Sequence, residues 1–76
     1  MKLSEAKQLA TAGKLKSGEL LLNPSNHQQW FIMVVETSGK SFIIADEEDE
    51  PIVSSQLEGL FKTLKSLGIR KAQITF

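Results

Sequence analysis

Trp30-Phe31-Ile32-Met33-Val34-Val35-Glu36, closed by Thr37-Ser38-Gly39 and answered by Ser41-Phe42-Ile43-Ile44-Ala45, decides the fold of this 76-residue chain. Aromatic and β-branched side chains fill both runs, and a short polar turn with glycine separates them, so residues 27–36 and 41–45 read as the two strands of a β-hairpin. Side chains alternate along a strand, which sends Trp30, Ile32 and Val34 to one side and Phe31, Met33 and Val35 to the other. Both sides are apolar. Such a strand sits at the centre of a sheet or serves an interface. In the second run, Phe42 and Ile44 share one side, and Ile43 and Ala45 the other.

Upstream of the hairpin, Asn23-Pro24-Ser25-Asn26 is a dense turn signal. Residues 15–22, with Leu15 and the run Leu20-Leu21-Leu22, are expected to form a strand before it. Residues 4–12 read as a short helix: Ser4 is the N-cap candidate, Glu5 suits the first turn, Ala6, Leu9 and Ala10 make an apolar stripe, and Gly13 ends it. Two turns are marginal alone, so this helix must dock.

Downstream, Leu57, Leu60, Phe61, Leu64 and Leu67 keep helical spacing behind a capping box of Ser55 and Glu58. Gly68 suits a left-handed C-terminal position, with Ile69 folding back on Leu64. Gly59 is out of place in the first turns, at a cost of roughly 1 kcal/mol relative to alanine, and close approach of a neighbour would account for it. Residues 72–76 alternate and read as a last strand, parallel to a sheet neighbour and placed beside the first strand. The expectation is a single α+β domain over residues 1–76, in the order α-β-β-β-α-β. Its sheet is mostly antiparallel, of three to four strands, with two helices on one face.

Composition narrows the function classes. A chain this short buries only about 60% of its unfolded surface, which leaves one modest core. It has no cysteine, which removes disulfides, thiolate metal sites and thiol nucleophiles and fits a reducing cytoplasm. The start Met1-Lys2-Leu3-Ser4-Glu5-Ala6 lacks a signal-peptide core, and no apolar run is long enough for a membrane span, so a soluble protein with no membrane partner is expected. Formal net charge is zero, which gives no global field toward nucleic acid.

Five carboxylates follow one another from Asp46 to Glu50 before Pro51. Calcium loops alternate their ligands around a glycine, and this run does not, so it reads as a solvated acidic loop and no metal is expected. His27, the one histidine, sits in a polar turn with no serine and carboxylate placed to make a triad. Trp30 reads as core rather than as a stacking platform. Neither a nucleophile with its base nor a phosphate-cradling glycine loop is present, so no enzyme and no cofactor are expected.

The α-β-β-β-α order is similar to that of double-stranded RNA-binding domains, which approach phosphates through lysines at the start of their second helix. Here that position follows the acidic run and holds Ser54, Ser55 and Glu58 in place of lysines, and the carboxylates repel phosphate. The pattern Ser4-Glu5-Ala6, Leu9-Ala10, Gly13, Pro24 before Trp30, and Leu60, Leu64, Leu67-Gly68-Ile69 resembles small bacterial plasmid partition-associated accessory proteins. The resemblance implies a plasmid or mobile-element accessory role without a catalytic residue to carry over.

These readings point to a non-enzymatic protein-protein interaction module that associates with itself or another protein. Two short helices can cover only one face of the sheet, and Trp30, Ile32, Val34, Phe42 and Ile44 are the expected interface. The alternative is weak nucleic-acid binding through Lys62, Lys65, Arg70 and Lys71, the one basic cluster.

Overall fold

The computed structural model describes residues 1–75. It is an α+β fold of two helices and a five-stranded mixed sheet: α1 (Leu3–Thr11), β1 (Leu15–Leu22), β2 (Trp30–Glu36), β3 (Ser41–Ile43), β4 (Val53–Ser54), α2 (Leu57–Ser66) and β5 (Ala72–Thr75). The order across the sheet is β3-β2-β1-β5, with β4 also paired to β2. The hairpin, the antiparallel β1-β2 pair and the parallel β5 beside β1 match the expected arrangement. Position 76, assigned to the last strand, lies outside the described residues.

β4 was not expected. It pairs antiparallel with the start of β2, Val53 opposite Phe31 and Ser54 opposite Trp30, on the same edge that β3 occupies further along. The chain thus leaves that edge after Ile44, makes an excursion through the acidic run, and rejoins it at Val53. The Ile52 N–H donates to the Ile44 carbonyl at 3.0 Å and closes the base of the excursion. Two residues are too few to show a period in sequence, and β2 supplies the ladder that holds them extended.

This pairing also moves the start of α2. The expected capping box of Ser55 and Glu58 does not form; Gln56 is the N-cap, without a side-chain cap bond, because the chain stays extended through Ser54. The Ser54 hydroxyl instead accepts the Gln56 N–H at 3.0 Å. α1 likewise begins earlier than expected, with Lys2 rather than Ser4 as its N-cap. The reason is tertiary: Met1 to Leu3 run along the outside of β3, where the Ala45 N–H donates to the Met1 carbonyl at 2.7 Å and the Leu3 N–H to the Ala45 carbonyl at 2.8 Å. Glu5 accepts the Lys2 N–H, and the Ser4 hydroxyl donates to Glu47 at 3.1 Å.

Both helices end as their sequences predict. Gly68 has φ of 73°; its N–H donates to the Lys65 carbonyl and the Ile69 N–H to the Leu64 carbonyl, the paired bonds of a Schellman motif. Gly13, Ala10, Lys14 and Leu9 repeat the pattern at the end of α1.

One core lies between the helices and the sheet. Ala6 from α1, Leu60 and Leu64 from α2 and Leu67 at its C-cap pack with Leu20, Trp30, Ile32 and Val34 from the sheet and with Ile44 just past β3. Leu20 and Ile32, opposite one another in the β1-β2 ladder, are fully buried, and each contributes about 2 kcal/mol by leaving water. Gly18, opposite Val34, lets α2 descend: a Cβ there would sit 2.8 Å from a Leu64 methyl. Gly59 has no such role, since a Cβ on it would meet nothing within 4 Å, and the close approach expected for it is absent. Phe61, assigned to the apolar stripe of α2, faces outward at 36% exposure, because the strip set by Leu60, Leu64 and Leu67 is narrow.

Candidate functional site

The five residues expected at an interface lie on the wrong side of the sheet for that purpose. Ile32, Val34 and Ile44 are completely buried, Trp30 is 9% exposed, and Phe42 packs against the core they form. Both helices cover this side, so it is the interior of a single subunit. The reasoning that two helices leave one sheet face open holds, but the open face is the other one.

Register identifies that face residue by residue. Leu21 is opposite Phe31, Met33 is opposite Ile43, and Phe31 is opposite Val53. Directly opposed residues share a side of the sheet, so Leu21, Phe31, Met33, Val35, Ile43 and Val53 form one apolar surface. Five of them are half-buried, Val53 is 38% exposed, and none belongs to the core or to the side chains packed against it. The strip between adjacent strands is continuous across β1, β2, β3 and β4. Glu19, opposite Met33, bounds it toward β5, where the Thr75 hydroxyl donates to the Glu19 carboxylate at 2.5 Å.

A signal for this assignment exists in the sequence. On β1 the residues alternating with Gly18, Leu20 and Leu22 are Ser17, Glu19 and Leu21. A carboxylate in mid-strand marks the solvent side, and the antiparallel register carries that side onto Phe31, Met33 and Val35.

The acidic run is a folded turn rather than an open loop. Asp46 Oδ1 accepts the N–H groups of Glu48 at 2.9 Å and Glu50 at 3.0 Å, the Asp46 N–H donates to the Glu50 carbonyl at 2.8 Å, and Asp49 takes φ of 66°. Asp46 therefore spends its carboxylate on its own backbone. Among the described residues, no group of three or more His, Cys, Asp and Glu side chains is placed to hold a metal ion. His27 is exposed. No helix among the described residues is long and apolar enough to cross a membrane.

Of the basic cluster, Arg70 and Lys71 join Lys16, which sequence reasoning missed, around a shallow hollow of about 430 Å³ floored by Leu15 and Ile69. Lys62 and Lys65 are exposed on α2 and do not line it. Charge is segregated more widely than the zero total suggests. Lys14, Lys16, Lys40, Lys65, Arg70 and Lys71 gather where β1 and β5 begin and α2 ends: the Lys14 carbonyl accepts from Thr37, the Lys40 carbonyl from Glu36, and the Lys71 carbonyl from Gly18. Asp46 to Glu50, with Glu5 and Glu58 in the first turns of the helices, occupy the opposite end together with Lys2, and Glu36 lies among the cations of the basic end, so the segregation is a net one. Both helices run from the acidic end to the basic end; α2 has Glu58 at its positive N-terminus and Lys65 at its negative C-terminus, whereas α1 has Glu5 in its first turn, Lys2 as its N-cap and no basic residue in its last turn. No family model matches the chain, and the curated proteins and solved structures give no significant match.

Proposed function

We propose that this chain is a non-enzymatic interaction module that associates with itself through the open face of its sheet, in an accessory role of the kind the resemblance to plasmid partition-associated proteins implies. The observation that carries the reading is the continuous surface of Leu21, Phe31, Met33, Val35, Ile43 and Val53, with no helix on it. Three strand columns at about 4.8 Å spacing, the outer one shared by β3 and β4, and about 20 Å of strand length give a face of about 300 Å² per copy. Pairing two such faces removes on the order of 600 Å² from water, below the range of stable specific interfaces, so the association is weak and concentration-dependent.

Sedimentation of the wild-type chain across a concentration series tests this, beside Met33→Lys. A charge in the middle of the face weakens association at least about tenfold while the cooperative thermal transition is kept, because Met33 is not part of the core. A chain that stays monomeric up to about 1 mM removes the reading.

The hollow of Lys16, Arg70 and Lys71 supports a second reading, a weak nucleic-acid contact in which Lys62 and Lys65 extend the basic surface. Its signature is a binding constant that falls steeply with salt. Absence of binding to single- and double-stranded oligonucleotides at low salt ends it.

A further inference from the structure

The open face lies between ends of opposite charge, and this decides how two copies meet. We infer that the partner seated on the face is a second copy turned end for end, so that the acidic excursion of one copy meets the basic strand ends of the other; the inference rests on the self-association reading. Sheets stacked in the aligned arrangement keep their strands within about 30° of one another, and there a two-fold axis either keeps like strand ends together or exchanges them. Keeping them together sets Asp46 to Glu50 against the same five carboxylates, and Lys14, Lys16 and Lys40 against themselves. Exchanging them sets each group against its opposite. The surface is thus self-complementary in one arrangement and self-repelling in the other, although the chain as a whole is neutral. No other partner chemistry is needed: the apolar strip matches itself, and the net charges at the two ends of its strands match once the ends are exchanged.

The chain has no cysteine, so Ser25→Cys places a single spin label in the exposed β1-β2 turn, at the acidic end and off the open face. Labelled, isotopically silent chain is mixed with unlabelled ¹⁵N chain, at concentrations where sedimentation shows a dimer. End exchange predicts signal loss at the amides of Lys14, Lys16 and Lys40 in the ¹⁵N copy. Loss concentrated at residues 23–29 means that like ends adjoin, and overturns the inference while leaving self-association in place. A dimer with no loss at either end also overturns it, because the copies then meet elsewhere. A monomer in sedimentation removes the underlying reading instead. Salt gives an independent sign: raising it from about 0.05 M to about 0.5 M weakens an end-exchanged dimer by roughly three- to tenfold and strengthens a like-ended one.

Discussion

Gly18 fixes how close α2 comes to the sheet. It is buried opposite Val34, and a Cβ there would meet Leu64 Cδ2 at 2.8 Å and Ile69 Cγ2 at 3.4 Å. Leu64 is itself buried and has little room to move, so Gly18→Val overpacks the core and costs about 2 kcal/mol, measured by urea unfolding. Asp46 carries a different kind of constraint. Its carboxylate takes two backbone N–H groups in the excursion, so Asp46→Ala costs about 1 kcal/mol, whereas Asp46→Asn keeps an acceptor oxygen and costs less. Composition alone presents Asp46 to Glu50 as five equivalent solvated charges. The difference between Asp46 and Glu47, Glu48 or Glu50 arises from backbone geometry, which a run of like residues does not display.

Helix ends divide cleanly into those written locally and those set by distant partners. The two C-termini, at Gly13 and Gly68, are legible because a Schellman ending is made within six residues. The N-termini are not. Lys2 is held by the strand-like contact of residues 1–3 with Ala45, and Gln56 follows a two-residue strand that exists only against β2. The glycines of α2 test this account with opposite signs. Gly68→Ala forces a side chain into φ of 73° and costs about 1 kcal/mol, while Gly59→Ala, with open space around the new methyl, gains up to about 1 kcal/mol in thermal or urea unfolding. The sheet shows the same division. Alternation correctly groups Trp30 with Ile32 and Val34, and Phe31 with Met33 and Val35, because period two is a local property. Which group the helices cover is a matter of tertiary packing, and only Gly18 and Glu19, read through the β1-β2 register, point to the answer.

Charge is where the molecule differs most from its composition. A formal net charge of zero conceals a basic end and an acidic end, and α2 complements them with Glu58 in its first turn and Lys65 in its last. That separation stabilises each subunit modestly and gives the open face a direction. Self-association as proposed brings Leu21, Met33, Val35, Ile43 and Val53 against a second copy, whereas Leu20, Ile32, Val34 and Ile44 belong to the interior. Methyl chemical shifts of all nine residues, followed as the chain is concentrated from about 10 μM to about 1 mM, separate the two sets directly. The first five should move together along one saturating curve while the other four stay fixed. Shifts that stay constant for all nine, or that move only around Lys62 to Lys71, would show that the open face has no such partner.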